Sequence, residues 1–215
     1  MDLLRYILYP QVIDVRKPKY INLFYLVLLY FLFVILSVPL ISYSISLFGV
    51  KHITPNHLDK IYVFIGVFLT PVYEEILCRL SLVFDKKNFY VTLICAFIFA
   101  TIEFFREKYL LSIVFFVLFL GLISVKSINR IKLKQLYSKY FKYLFWLSAL
   151  FFGLLHITNF QGNLFVLLML SPLLCLPQIV MGLFLGSIRM NNGFIYSVFI
   201  HFIINSNLLL NLLHK

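Results

Sequence analysis

Residues 21–45 read INLFYLVLLYFLFVILSVPLISYSI and contain no charged side chain. A helix needs roughly 20 apolar residues to cross the hydrocarbon core of a bilayer, so this stretch is long enough to span a membrane. The whole chain of 215 residues is 62% apolar and 13% charged, whereas soluble domains are about 45–50% apolar and about 25% charged. The sequence therefore predicts an integral membrane protein.

Further apolar runs follow along the chain, and each is predicted to be a transmembrane helix because lipid cannot satisfy free backbone groups. Pro172 and Pro177 are expected to kink or break the run that contains them. The predicted fold is an all-α, polytopic transmembrane helix bundle of about seven spans, within a range of six to eight. The seven runs are 21–45, 61–84, 89–105, 109–125, 143–157, 164–188 and 194–213.

Two polar stretches lie outside these runs. Residues 1–20 mix charged and apolar side chains and are interrupted by Pro10 and Pro18. They are predicted to lie at the membrane interface, ahead of a single membrane domain formed by residues 21–215. Residues 126–142 are rich in lysine and are predicted to form a loop. Most lysines and arginines fall on the side of the bundle that holds the N-terminus, which predicts a cytoplasmic N-terminus.

The net charge of +11 comes mainly from basic residues between apolar runs, where such residues meet anionic lipid headgroups. We therefore expect the lipid bilayer as a partner and expect no nucleic acid. Cys78, Cys95 and Cys175 all lie within apolar runs, which argues against a disulfide framework.

Residues 69–79 read LTPVYEEILCR and place three ionisable side chains in an apolar run. Each would cost about 2.5–3.5 kcal/mol at the centre of an inserting helix, so the cluster must face the interior of the bundle or water. Glu75 and Arg79 are one helical turn apart and can pair. Glu74 points about 100° away from Glu75, which leaves it free to enter a cavity and act on a water molecule. The alternative is a purely structural network of all three charges.

Two histidines also lie in apolar runs. Phe152 and His156 are one helical turn apart, so the phenyl ring can pack over the imidazole, and Gly153 allows a neighbouring helix to come close. His201 and Asn205 share a helix face and can offer two hydrogen-bond donors to one point, as an oxyanion site requires. The alternatives are that His156 is a structural core residue and that His201 and Asn205 hold helices together.

A carboxylate that holds a water molecule, a histidine beside it and a pair of donors are what hydrolysis of a peptide bond requires. In this interpretation Glu74 is the general base, and His156 tunes it or holds the water. His201 and Asn205 would stabilise the tetrahedral oxyanion that forms when water attacks. The supporting residues are Glu75, Arg79 and Phe152.

These residues resemble the motifs of the CPBP intramembrane proteases, also called the ABI family. This family includes the CAAX endopeptidases that trim prenylated proteins, and bacterial proteins linked to bacteriocin processing and self-immunity. Its first motif, two glutamates with an arginine four residues after the second, is matched by residues 74–79, with Pro71 upstream. Its second, Phe-x-x-x-His, is matched by residues 152–156, and its last, His-x-x-x-Asn, by residues 201–205. The positions that resemble the family's lead-in to the final helix are Gln178, Gly182, Leu185, Gly186, Asn192 and Gly193.

The resemblance covers residues 69–206, and its three motifs occur in the family's order, each within an apolar run. It implies that Glu74 and His156 activate the water and that the last motif forms the oxyanion site, with no metal and no cofactor. There are two departures from the family pattern. Leu80 stands where a glycine commonly follows the motif arginine, and Cys78 stands where an aromatic residue often precedes it. These changes affect the shape of the substrate pocket rather than the chemistry.

The resemblance implies an intramembrane endopeptidase that hydrolyses peptide bonds of membrane-associated, peptide or CAAX-like substrates. A bacterial cell (inner) membrane is the expected location, because the Lys-, Ile-, Phe- and Asn-rich composition is compatible with an AT-rich bacterium. The alternative function is non-catalytic, as a bacteriocin self-immunity protein or a membrane scaffold.

A zinc metalloprotease is disfavoured because the chain has no His-Glu-x-x-His motif and asparagine is a poor zinc ligand. A proton-coupled transporter is disfavoured because the sequence shows no inverted repeat. The oligomeric state is left open.

Glu103 lies near the end of the third apolar run, close to Arg106, Glu107 and Lys108. Long charged side chains near a helix end can extend to the membrane interface and keep their charge in water. We expect Glu103 to do so, and the sequence assigns it no part in the site.

Overall fold

The computed structural model describes residues 3–13, 20–53, 60–107, 109–126 and 130–209, and these residues are mostly helical. The all-α helix bundle predicted from the sequence is therefore confirmed. A two-stranded antiparallel ribbon is formed by β1 (Lys51–His52) and β2 (Phe160–Gln161). The helices are α1 (Leu3–Leu8), α2 (Tyr20–Ser46), α3 (Lys60–Phe64), α4 (Thr70–Arg79), α5 (Lys86–Phe105), α6 (Tyr109–Lys126), α7 (Arg130–Leu154), α8 (Leu164–Leu174), α9 (Leu176–Asn192) and α10 (Phe194–Asn205).

Among the described residues, three helices are long and apolar enough to cross a membrane, or four if the bent pair α8 and α9 forms one span. The predicted number of seven spans is therefore not confirmed. The shorter apolar helices lie at Leu111–Gly121 and Phe194–Asn205. The three long helices are Tyr20–Ser46, Lys86–Phe105 and Ile131–Asn159.

The second apolar run is not one continuous helix. A π-helical turn, Ile65–Leu69, separates α3 from α4, and a 3₁₀ turn, Leu80–Leu82, follows α4. Pro71 lies in the first turn of α4. Since proline has no backbone N–H, it cannot continue the ladder of hydrogen bonds from the preceding turn. The proline explains why the helical register changes just ahead of the cluster of charged residues.

The lysine-rich stretch of residues 126–142, predicted as a loop, is instead helical from Arg130 onwards, where α7 begins. Lysine and arginine are good helix formers. Tyr137, Phe141 and Phe145 recur every four residues and are buried, whereas the lysines between them face outwards. The loop prediction was wrong because the aromatic residues give this charged stretch one face that can pack.

The predicted break in the sixth apolar run is confirmed. α8 ends at Leu174 and α9 begins at Leu176, and their axes are bent by 42°. Pro172 lies inside α8 and Pro177 lies in the first turn of α9. Neither proline can donate a backbone hydrogen bond across the break.

α7 and α9 pack closely through small residues, as the sequence predicts for Gly153. A Cβ atom at Gly153 would lie 2.9 Å from the backbone nitrogen of Ile179. At Gly182 it would lie 3.0 Å from the Cα of Ala149. Without a side chain at these glycines the two backbones can approach each other, which maximises van der Waals contact where no hydrophobic effect drives association. This contact fixes the end of α7, where His156 follows.

The described part of the N-terminal segment is held against α7. Tyr6 of α1 is buried and meets the edge of the Phe145 ring, with 5.7 Å between ring centroids. The indole nitrogen of Trp146 donates a hydrogen bond of 3.0 Å to the carbonyl oxygen of Ile7. Residues 1–2 and 14–19 of the predicted interfacial segment lie outside the described residues, and the division into residues 1–20 and 21–215 stays a prediction.

We expect Gly153→Ala to destabilise the protein by about 1–3 kcal/mol, because the new methyl group must displace the backbone of Ile179. Gly121→Ala is the matched control, since a Cβ at Gly121 meets nothing within 4 Å. Equilibrium unfolding in mixed micelles would measure both. Equal stability of the two variants would show that the close contact between α7 and α9 does not limit the free energy of unfolding.

Candidate active site

The buried ion pair predicted on α4 is present. An Nη1 atom of Arg79 donates to Oε1 of Glu75 at 2.6 Å, and both side chains are fully buried. The hydroxyl of Thr92 on α5 donates to the carbonyl oxygen of Ile76 at 3.2 Å, and the ring of Phe99 further along α5 contacts Tyr73, which precedes Ile76 on α4. Because the two contacts run in opposite order along the chain, α4 and α5 are antiparallel. The charged cluster therefore faces the interior of the bundle. This is the expected position, because charged side chains exposed to lipid would cost free energy.

Phe152 of α7 joins the first motif to the two histidines. The Cζ atom of Arg79 lies 3.9 Å from the centroid of the Phe152 ring, a cation–π contact. The ring also meets His156 and His201 at centroid distances of 5.1 and 5.7 Å. The predicted contact between Phe152 and His156 is present, and one aromatic ring supports side chains from three separate parts of the chain.

His201 of α10 lies between the two glutamates. Its Nδ1 atom is 3.0 Å from Oε1 of Glu75, and its Nε2 atom is 3.4 Å from Oε2 of Glu74. A carboxylate oxygen accepts, so Nδ1 carries the hydrogen of the shorter contact. Glu75 thereby holds the imidazole ring in one orientation and presents its other nitrogen to Glu74.

His156 lies in the 3₁₀ turn Leu155–Asn159 that follows α7. Its Nδ1 atom is 3.0 Å from the carbonyl oxygen of Phe152, and because a carbonyl oxygen only accepts, Nδ1 is the donor. In the neutral ring Nε2 then carries a lone pair, and it lies 3.8 Å from Oε1 of Glu74. Each oxygen of Glu74 therefore faces a different histidine.

Asn205 does not share an acceptor with His201 in this structure. Its Nδ2 atom donates to the carbonyl oxygen of Gly66 at 3.1 Å. This carbonyl is available because the N–H of Thr70 bonds to Ile65 instead, and Pro71 has no N–H to offer. The predicted joint role of His201 and Asn205 at an oxyanion stays a prediction.

A cavity of about 680 Å³ opens onto these side chains. Glu74, His156, His201 and Asn205 all contribute to its wall. Apolar side chains from three helices line much of the remainder, namely Tyr30, Val34, Val38, Ile41, Leu111, Phe115 and Met181. A binding site of this kind, mostly apolar with a few convergent polar groups, suits a partly apolar substrate.

Glu103 is placed differently from the sequence prediction. Glu103 does not extend to the interface. It is only 6% exposed, and it lines the same cavity as Glu74. Ala96 and Ala100 are buried on the same face of α5. This stripe of small residues, spaced at the helical period, is the sequence signal that could have placed Glu103 inside the bundle.

Among the residues that the structure describes, no three His, Cys, Asp or Glu side chains are grouped so that they could hold a metal ion. The three cysteines are free. Independence from metal stays a prediction that follows from the resemblance.

The family model described as type II CAAX prenyl endopeptidase Rce1-like matches residues 128–207 of this chain. The match spans a little over a third of the chain and includes the second and last motifs but not Glu74. It supports membership of the CPBP family and implies a protease that acts on a peptide or protein substrate. The apolar helices and this match identify an integral membrane protein. No curated protein and no solved structure matches the chain.

We expect Arg79→Leu to destabilise the protein by about 3–5 kcal/mol, because it leaves the Glu75 carboxylate buried without its cation. The double variant Glu75→Gln/Arg79→Leu should lose much less than the sum of the two single variants. Equilibrium unfolding in mixed micelles would measure all three, with Lys86→Ala as a control at an exposed cation. Additive losses would mean that the two side chains do not depend on each other.

Proposed function

We propose that this chain is an intramembrane endopeptidase with a glutamate-activated water. The proposal starts from the premise that the chain is a CPBP-family membrane protease, which its Rce1-like match supports. Its substrates would be membrane-associated, peptide or CAAX-like chains. The observation that carries the proposal is the position of Glu74. Its carboxylate lines the cavity with one oxygen towards His156 and the other towards His201, while Arg79 pairs with Glu75.

The gap between Glu74 and His156 suits a water molecule. Oε1 of Glu74 and Nε2 of His156 are 3.8 Å apart, and both are acceptors when the carboxylate is ionised and the ring is neutral. One water can donate a hydrogen to each, because donor–acceptor distances of about 2.8 Å are compatible with that separation. In the proposed reaction Glu74 takes a proton from this water as its oxygen attacks the substrate carbonyl.

The attack forms a carbon–oxygen bond and places a negative charge on the former carbonyl oxygen. We propose that His201 and Asn205 donate to this oxyanion. Because Nδ1–H of His201 stays bonded to Glu75, the ring donates through Nε2–H and must carry both hydrogens in this step. The side-chain amide of Asn205 has two hydrogens, so it can keep the bond to Gly66 with one and offer the other. The carbon–nitrogen bond then breaks, and the proton taken by Glu74 is delivered to the leaving amine. The acid and amine products together account for the substrate and one water.

The finer localisation belongs to the same proposal. It places the chain in a bacterial inner membrane with a cytoplasmic N-terminus, the orientation that the distribution of lysine and arginine favours. A non-catalytic role in bacteriocin self-immunity or as a scaffold is the alternative. A carboxylate placed between two histidines in a cavity is costly within a membrane. A non-catalytic role would not require such a group, whereas the proposed reaction does.

We expect Glu74→Gln to abolish specific cleavage, with a loss of at least about 10²-fold, because the amide keeps the shape of the side chain but cannot take a proton. Wild type and variant would be expressed at matched membrane levels, and peptides and membrane-protein fragments compared by quantitative mass spectrometry. Glu107→Gln is the matched control, since it makes the same change at an exposed glutamate.

Products found with wild type and Glu107→Gln, but missing with Glu74→Gln, would support the protease and name its substrate. Identical profiles for all three chains, together with a host phenotype that survives Glu74→Gln, would favour immunity or a scaffold. Full cleavage by Glu74→Gln would contradict the proposed mechanism.

A second test concerns metal. Purified protein treated with 1,10-phenanthroline or EDTA and then freed of chelator should cleave the identified substrate at an unchanged rate, because the proposed reaction uses carboxylate, imidazole and amide groups of the chain itself. Loss of activity on chelation and its recovery with added zinc would instead support a zinc metalloprotease.

A further inference from the structure

The cavity wall carries a second carboxylate that the proposed reaction does not use. Oε1 of Glu103 accepts a hydrogen bond of 3.1 Å from Arg106. Its other oxygen, Oε2, is buried and has no hydrogen-bond partner among the residues that the structure describes. A buried, unpaired carboxylate oxygen is costly, so a small rotation of the Glu103 side chain towards the cavity, where a ligand could donate a hydrogen bond to this oxygen, would relieve that cost.

Along the helix axes, Glu103 lies about 7–8 Å from the level of Glu74. The ring of Tyr73, which precedes Glu74, packs on Phe99 of α5 with 4.2 Å between centroids. Glu103 is four residues beyond Phe99, a rise of about 6 Å along α5. Because α4 and α5 are antiparallel, this displacement is towards the start of α4 and the exposed end of α5, where Arg106 lies.

We propose that Glu103 forms a subsite that binds a cationic side chain, lysine or arginine, of the substrate. This inference rests on the proposed function, since it concerns the substrate of the same site. An extended chain advances about 3.3 Å per residue, so the cationic residue would lie within about two residues of the bond that is cleaved. A polypeptide that carries a basic residue beside an apolar stretch would fit the cavity.

The surroundings of Glu103 favour a cation over an anion. The side chain of Arg106 is 52% exposed, so water and salt screen its charge, while the unpaired oxygen of Glu103 is out of solvent. Phe99, Leu111 and Phe115 also line the cavity. They offer an apolar surface to the methylene groups of a lysine or arginine, whose charged end can then reach the carboxylate.

Binding of short labelled peptides tests this directly. The chain with Glu74→Gln, reconstituted in nanodiscs, would be titrated with apolar peptides of one length that carry Lys, Gln or Glu at each position in turn. We expect a lysine at one position to bind about tenfold more tightly than glutamine, as a charge-assisted hydrogen bond allows. Adding Glu103→Gln should remove this preference, and adding Glu103→Lys should shift it towards the glutamate peptide.

Two further variants keep the result interpretable. Glu107→Gln should retain the preference for lysine, and Glu103→Asp, which keeps the charge, should retain part of it. A preference that is absent from the starting protein, or that survives Glu103→Gln, would overturn the inference. The inference would also be overturned if the glutamate peptide bound more tightly than the lysine peptide and this preference were lost with Arg106→Gln.

The two proposals fail in different ways. Peptide binding that depends on Glu103, with no cleavage by wild type, would retain the subsite and reject the protease. Cleavage that depends on Glu74, with no effect of Glu103 on the choice between lysine and glutamine peptides, would retain the protease and reject the subsite.

Discussion

The ion pair between Arg79 and Glu75 has no access to solvent, and the rest of the site depends on how it is satisfied. Two charges removed from water lose their hydration, and their attraction offsets that loss only with close geometry and further partners. Other helices supply those partners. The ring of Phe152 on α7 lies over the guanidinium group, and His201 of α10 donates to the carboxylate. One buried pair of charges therefore ties α4, α7 and α10 together.

Two adjacent glutamates have different surroundings. Glu75 is held by Arg79 and His201, so its charge is already neutralised within the bundle. Glu74 points about 100° away around the same helix and faces the cavity, with His156 and His201 on either side. Because Glu75 is paired, Glu74 is left to line the cavity, which is the arrangement that the proposed reaction requires.

Backbone irregularities near the cavity position the remaining groups. The π-helical turn before Pro71 leaves the carbonyl of Gly66 for Asn205, and the 3₁₀ turn after α7 carries His156. Free backbone groups are tolerated within a membrane where they are buried in protein and find partners. The close contact of α7 with α9 at Gly153 supports this arrangement, because it limits how far the end of α7 can move.

The sequence by itself determined the all-α membrane class, the ion pair within residues 74–79 and the ring contact within residues 152–156. Each follows from local composition or from the spacing of one helical turn. The sequence also carried signals for the helix over residues 130–142, in the spacing of Tyr137 and Phe141, and for the buried side of α5 that holds Glu103. Tertiary structure alone decided that the amide of Asn205 bonds to a distant carbonyl and that the buried side of α5 at Glu103 meets the cavity of Glu74. Helical spacing shows which side chains share a face, but only the packing of helices distant in sequence decides what that face meets.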